Sequence, residues 1–108
     1  MPTEMTLPAR PGAEATAPLP DLVLYTRDGC HLCDDARDLL TALLAERAVT
    51  GRPTPTLVER DIATDAEWER QFFTTIPVVE LGDRRLELAT SAVKLRRLLD
   101  TIDEEAPG

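Results

Sequence analysis

The sequence contains two cysteines, Cys30 and Cys33, which enclose His31 and Leu32 in a Cys-x-x-Cys motif. An apolar run at 22–25 precedes the motif and a helical pattern follows it, so we expect the pair where a buried strand gives way to a helix. The free N–H groups and positive dipole end of a helix N-terminus stabilise a thiolate, the species that attacks disulfides and binds metals. This position therefore predicts a redox-active pair.

Two other uses of the cysteines stay open as alternatives. A structural disulfide would close a loop of only four residues, which stabilises by about 2 kcal/mol in the chain-entropy model, against about 4.7 kcal/mol for a loop of about 100 residues. A zinc site needs four ligands, and His31 is the only histidine. A metal or cluster would therefore need carboxylates or a second chain, and we expect no metal site.

Length and charge narrow the class of protein. With 108 residues the chain is expected to form one domain with a modest core. Its formal net charge of −8 would repel nucleic acids and anionic membrane surfaces. No stretch approaches the roughly 20 apolar residues of a membrane span, and residues 1–20 lack the basic and apolar regions of a secretory signal. We predict a cytoplasmic protein that binds neither nucleic acid nor membrane.

The elements that must position the cysteines follow from hydrophobic periodicity. Residues 1–20 are rich in Pro, Ala and Thr and are predicted to form a disordered tail, and residues 103–108 a frayed acidic end. Between them, the domain at 21–102 is predicted to contain strand 21–26, helix 30–47, strand 56–61, helix 66–73, strand 78–81, strand 84–88 and a helix ending at 102. The order βαβαββα predicts an α/β fold with a four-stranded mixed sheet flanked by helices. The cysteines should lie beside the start of the third strand.

With these elements in place, the sequence resembles the glutaredoxin-like branch of the thioredoxin superfamily. The resemblance covers about residues 21–102 and is carried by Leu24-Tyr25-Thr26-Arg27, Gly29-Cys30-His31-Leu32-Cys33, Thr75-Ile76-Pro77-Val78-Val79 and Gly82-Asp83. It implies a thioredoxin fold and dithiol–disulfide exchange. The Cys-x-x-Cys motif alone is weakly specific, whereas its combination with the Ile-Pro step and the element order is strongly so.

The resemblance implies that Cys30 is the nucleophile and Cys33 the resolving cysteine. A physical reason agrees, because Cys30 would lie at the mouth of the helix while Cys33 is one turn in and shielded. Arg27 matches the basic residue that the family has before the motif. Together with His31 it would favour the thiolate and contact substrate.

Pro77 corresponds to the cis-proline that the family places beside the cysteines. A cis bond there would leave backbone groups of Thr75 and Ile76 unpaired and aimed at the cysteines. Such groups can accept a substrate chain as an added strand. Thr75, Ile76 and Pro77 are therefore predicted to bind substrate.

The first departure from the family pattern is the negative charge on the first turns of the helix, carried by Asp34, Asp35 and Asp38. Carboxylates near a helix N-terminus stabilise the helix by about 0.3–1 kcal/mol each. The same charges disfavour a thiolate on the neighbouring cysteines. Asp34 is the closest of them to both sulfurs in sequence, and we expect it to make the dithiol less acidic.

The second departure lies after the fourth strand, where Glu87 and Leu88 occupy the positions of a Gly-Gly pair that helps glutaredoxins bind glutathione. Glycine would let backbone N–H groups approach a ligand carboxylate closely, and side chains obstruct that approach. Glutathione stays a candidate co-substrate. We predict that a thioredoxin-reductase-type enzyme or a dithiol is the better reductant.

Together these features predict a monomeric thiol–disulfide oxidoreductase that reduces disulfides in proteins or small molecules without a tightly bound cofactor. Two alternatives come from other functional classes. One is an iron–sulfur or metal carrier that uses the same thiolates. The other is a non-catalytic adaptor with a thioredoxin fold.

Overall fold

The computed structural model describes residues 19–105 of the chain. Its elements confirm the order βαβαββα, and a 3₁₀ turn at Ile62–Thr64 precedes the second helix. Their bounds are β1 (Leu22–Thr26), α1 (His31–Val49), β2 (Leu57–Asp61), α2 (Ala66–Phe72), β3 (Val78–Leu81), β4 (Arg84–Leu86) and α3 (Ala92–Glu105). The predicted tail lies outside the described residues, except for Leu19 and Pro20. Within the described part, no helix is long and apolar enough to cross a membrane.

The four strands form one mixed sheet, as the sequence predicts, and the structure places them in the order β2-β1-β3-β4. β1 runs parallel to β2 and antiparallel to β3, while β3 and β4 form a hairpin. Every residue of β1 is buried. Its central place explains why the apolar run at 22–25 is continuous instead of alternating. Tyr25 pairs with Val78, so the start of β3 lies beside the end of β1 that leads to the cysteines.

The larger core lies between one face of the sheet and the helices α1 and α3. Each fully buried aliphatic side chain in it contributes about 1.5–3 kcal/mol by leaving water. The buried members are Leu22, Leu24, Ala36, Leu40, Leu43, Val79, Leu81, Ala89, Leu95, Leu99 and Ile102. This packing fixes α1, and with it the cysteine motif, against the sheet.

The opposite face carries a smaller aromatic core under α2. Tyr25 packs against Phe72 with ring centroids 4.4 Å apart and meets Trp68 edge to face at 5.7 Å. Arg60 lies over the rings of both Tyr25 and Trp68, and the Tyr25 hydroxyl donates to Glu80 at 3.2 Å. Burial is the main reason that the pKa of Tyr25 is raised above its ordinary value. These contacts hold the short helix α2 to the sheet.

Helix α3 continues past residue 102, where the sequence predicts a frayed end. The reason is an ion cluster with the end of α1: Arg47 is 3% exposed and donates to Asp103 at 2.8 Å and to Asp100 at 3.4 Å. Its Nε donates to the Pro53 carbonyl at 2.9 Å, and Arg52 donates to both carboxylates. The hydrogen bonds from Arg52, and then from Arg47, hold the pKa of Asp103 below its ordinary value.

Candidate functional site

Cys30 caps the N-terminus of α1, and Cys33 lies one turn into the helix. Cys30 has an extended backbone (φ −98°, ψ 105°), and its Sγ accepts a hydrogen bond from the Cys33 N–H at 3.1 Å. The two cysteines are joined in a disulfide, with their Cα atoms 5.2 Å apart. Cys33 is fully buried, whereas Cys30 is half-buried. Cys30 is therefore the cysteine that is accessible from solvent.

The Ile76–Pro77 peptide bond is cis, as the family resemblance implies. Pro77 is fully buried and directly precedes Val78, the first residue of β3. Val78 pairs with Tyr25, and the chain continues from β1 through residues 27–29 into the cysteine motif. The loop 73–77 and the cysteines therefore lie at the same edge of the sheet.

The backbone of the loop before Pro77 is bonded internally, so the prediction that the Thr75 and Ile76 groups are unpaired is wrong for three of them. The N–H groups of Thr75 and Ile76 donate to the Phe72 carbonyl at 2.9 and 3.1 Å, and the Thr75 carbonyl accepts from Leu88 at 2.9 Å. The last carbonyls of a helix have no N–H partner within the helix. Here the N–H groups of Thr75 and Ile76 are the partners of the Phe72 carbonyl at the end of α2. An added substrate strand would have to replace these bonds. Substrate contact by Thr75 and Ile76 stays a prediction.

Residues 87–90, which we name the strap, follow β4 and close over this loop. β4 ends short of the predicted residue 88, because the backbone turns at Leu88 with φ 49°. The Ala89 N–H donates to the Pro77 carbonyl at 2.8 Å, and Ala89 is buried in the larger core. A left-handed conformation costs a non-glycine residue about 1–2 kcal/mol. The bonds from Leu88 and Ala89 to the loop hold it in place.

Two side chains of the motif itself point to solvent. Leu32 is 50% exposed, and His31 is exposed as well. The His31 side chain makes no hydrogen bond or ion pair with other residues of the described part. The surface beside Cys30 is therefore exposed and carries both an aliphatic and a polar side chain.

The charges next to the motif are paired with one another. Arg37 donates to Asp34 and to Glu59 of β2, both at 2.8 Å. The bond to Asp34 first, and then that to Glu59, raises the pKa of Arg37. Arg27 binds Glu69 of α2 at 2.8 Å, so that carboxylate partly neutralises its charge. The expected effects of Asp34 and Arg27 on the thiolate are therefore both reduced.

Sequence reasoning missed Arg37 and Glu69 as neighbours of the site. For Arg37 a signal existed, because its i+3 spacing from Asp34 places both on one face of a helix. For Glu69 there was none, because Arg27 and Glu69 are 42 residues apart in sequence. Leu88 was singled out only through the resemblance, and nothing in the sequence indicated its left-handed backbone.

A protein-family model matches the sequence of this chain. The sequence model described as Glutaredoxin-like domain (DUF836) matches residues 21–103, most of the chain. The chain belongs to this glutaredoxin-like family.

The solved structures that are similar to this chain include two of Northeast Structural Genomics target protein XcR50 from X. campestris. The X-ray structure is 32% identical with a TM-score of 0.60, covering 74% of this chain and 96% of that one. The solution structure is 32% identical with a TM-score of 0.59, covering 75% and 94%. No curated protein matches the sequence. The family and the fold, with cysteines at disulfide distance, support a redox function of the thioredoxin-like kind.

The site of this DUF836 protein brings together the cysteine pair and the cis-proline loop, with the strap along that loop. Arg27 is turned toward Glu69, and His31 stands apart in solvent. Among residues 19–105, no three His, Cys, Asp or Glu side chains are grouped so that they could hold a metal ion. The arrangement offers one reachable sulfur, one shielded sulfur and an adjacent backbone loop, which are the parts that dithiol exchange needs.

Proposed function

We propose that this DUF836 protein is a thiol–disulfide oxidoreductase that reduces disulfides in proteins or small molecules without a tightly bound cofactor. The observation that carries the proposal is the difference between its cysteines: Cys30 is half-buried at the helix N-terminus, while Cys33 is fully buried within disulfide distance. A purely structural bond across four residues would stabilise the fold little. In the cytoplasm, where we place the protein, such a pair is used transiently.

Reduction of a substrate begins with the Cys30 thiolate. It attacks one sulfur of the substrate disulfide, forms a mixed disulfide and displaces the first substrate thiolate. The Cys33 thiolate then attacks the Cys30 Sγ, closes the Cys30–Cys33 disulfide and releases the second substrate thiolate. Two electrons pass from the protein to the substrate, and the two protons of the cysteine thiols end on the two substrate thiols. The Cys33 N–H at the Cys30 Sγ supports negative charge on that sulfur.

A reductant must then restore the dithiol. We propose that a dithiol or a thioredoxin-reductase-type enzyme does this better than glutathione, which is an anion. Glu87 and Leu88 place a carboxylate and an aliphatic side chain on the strap, beside the loop that ends at Pro77. The net charge of −8 slows the approach of an anion further.

A pair of cysteine variants tests the proposal. Cys33→Ser lacks the resolving thiol, so it should retain substrates as mixed disulfides on Cys30, visible on non-reducing gels and by mass spectrometry. The matched control, Cys30→Ser, keeps only the buried thiol and should trap almost nothing. Equal trapping by both variants would refute the roles. Bound iron or zinc in anaerobically purified protein, together with no trapping, would favour the carrier function.

A further inference from the structure

We propose that Leu88 determines substrate specificity, and that the preferred substrate is a disulfide whose sulfur carries an uncharged aliphatic group. The inference rests on the proposed function and adds to it the chemistry next to the substrate sulfur. Four observations support it: the position of Leu88, its backbone conformation, its exposure and the occupied backbone around it.

The hydrogen bonds of the strap place Leu88 beside the cysteine edge of the sheet. Its N–H binds the Thr75 carbonyl, and the N–H of Ala89 binds the Pro77 carbonyl. Ala89 packs in the same core as Ala36, which lies one turn after the second cysteine on α1. Leu88 is thus tied to the cis-proline loop, and its neighbour Ala89 anchors the strap in the larger core.

Neither the fold nor the turn explains a leucine at this position. A φ of 49° favours glycine or asparagine. The side chain does not serve the core either, because it is 55% exposed. Residues that keep such a backbone conformation concentrate at sites where a ligand is held. An exposed aliphatic side chain in a disfavoured turn, bonded to the cis-proline loop at the cysteine edge of the sheet, is therefore best explained by contact with the substrate.

The surroundings define what that contact can recognise. Three backbone groups of Thr75 and Ile76 are already bonded within the protein, so recognition falls mainly to side chains. Leu32, half-exposed between the cysteines, adds a second aliphatic surface to that of Leu88. Glu87, exposed on the strap, adds a negative charge. An aliphatic group on the substrate sulfur gains by burial against the leucines, whereas an anionic group is repelled.

Two small disulfides of equal size separate apolar contact from bulk. Di-n-propyl disulfide carries a methyl group where bis(2-hydroxyethyl) disulfide carries a hydroxyl. Pre-reduced protein is mixed with each under single-turnover conditions, and the remaining protein thiols are alkylated and counted by mass spectrometry. Each turnover oxidises one protein dithiol and yields two small thiols. After normalisation to the rate of each compound with dithiothreitol, the wild type should prefer the propyl compound by about fourfold, the effect of one buried methyl group.

The variants assign the preference to one side chain. Leu88→Asn keeps a side chain of similar bulk in a conformation that asparagine tolerates, and it should slow only the propyl compound until the preference disappears. Leu88→Gly suits the same φ and should act likewise. The control Val49→Ala shortens a side chain that is 86% exposed at the other end of α1 and should keep the preference.

The outcomes are distinct. Absence of a preference in the wild type, or its persistence in Leu88→Asn and Leu88→Gly, would overturn the proposal. Equal slowing of both compounds by these variants would also overturn it, because that would show a structural role only. Failure of the wild type to reduce either compound would instead refute the proposed oxidoreductase function. Circular dichroism and thermal unfolding of each variant verify that the fold is retained.

Discussion

The two ends of α1 use charge in opposite ways. At the C-terminal end, Arg47 is buried against Asp100 and Asp103 of α3. At the N-terminal end, Arg37 joins Asp34 to Glu59 at the surface. A buried charge that loses its partners remains desolvated, so its pairing holds the fold together. An exposed pair stabilises little, but beside the cysteines we expect its charge to change the stability of the thiolate. Arginine therefore holds two helices together at one end of α1, and at the other we expect it to adjust the reactivity of the cysteines.

The largest effect expected is on stability. Its absence would contradict the difference between the buried and the exposed ion pairs. Asp100→Ala/Asp103→Ala leaves the Arg47 guanidinium buried without a carboxylate and should lower the free energy of unfolding by about 3 kcal/mol, the low end for a disrupted buried pair, because the Pro53 carbonyl still accepts from Arg47. Arg37→Gln, at the other end, should lower it by less than about 1 kcal/mol. Urea denaturation of both variants measures the difference. Similar losses would show that the two clusters are energetically alike.

The strap should control the choice of reductant at the cysteine end. Glu87→Gly/Leu88→Gly should improve turnover with glutathione by about tenfold, which corresponds to removing about 1.4 kcal/mol of unfavourable contact. The assay compares disulfide reduction driven by glutathione and by a dithiol at matched potential, in the wild type and the double variant. Turnover with the dithiol should rise much less. Efficient glutathione turnover by the wild type, unchanged in the variant, would contradict the prediction.

The exposed charges at the cysteine end should change reactivity and not stability. Arg37→Gln leaves Asp34 uncompensated and should slow alkylation of Cys30 below neutral pH by about threefold, or about 0.7 kcal/mol. Asp34→Lys should speed it and raise the reduction potential, because it stabilises the reduced form. Arg70→Gln removes a similar exposed ion pair on α2 and serves as the control. If neither rate nor potential moves, Asp34 acts only as a helix residue.

The smallest effect concerns acid unfolding at the buried cluster. The pKa of Asp103 is lowered in the folded protein, by Arg52 first and then by Arg47. Its ionised form therefore stabilises the fold above the unfolded pKa of about 3.9, and this contribution is lost as the pH falls through the lower folded value. The Tm of the wild type should fall more steeply below about pH 4 than that of Asp103→Asn. Parallel curves would show that the hydrogen bonds to Asp103 contribute nothing to the pH dependence.

The sequence predicted the element order and the mixed sheet because both depend on local periodicity. The unbroken apolar run of β1 and the spaced leucines of α1 and α3 each carry their own signal. The ends of β4 and α3 depend instead on distant partners. The chain turns at Leu88, where the Leu88 N–H donates to the Thr75 carbonyl. The end of α3 is held by the hydrogen bond from Arg47 to Asp103, which is 56 residues away in sequence. No local pattern encodes such contacts.

In the candidate site, too, the features that depend on local patterns were predictable and those that depend on distant contacts were not. Cys30 and Cys33 could be placed at a helix N-terminus because strand and helix patterns meet there. The expectation of unpaired backbone groups at Thr75 and Ile76 is wrong for three of them, because their bonds depend partly on where α2 ends. Helix ends are set by capping contacts that a sequence pattern does not locate. The ion pair of Arg27 with Glu69 was not predicted either, because the two residues are 42 apart in sequence and no local pattern links them.

The Phe72 carbonyl, which accepts from the N–H groups of Thr75 and Ile76, ties the order of the loop before Pro77 to the helix α2. α2 has only seven residues and depends on the Asp65 side chain, which accepts from the N–H groups of Glu67 and Trp68. A helix of this length is not stable alone, so it and the loop should open as one local unit in hydrogen exchange. The amides of Thr75 and Ile76 should then share the protection of the last turn of α2. Asp65→Ala should shorten their exchange lifetimes together, although Asp65 is remote in sequence from both sulfurs.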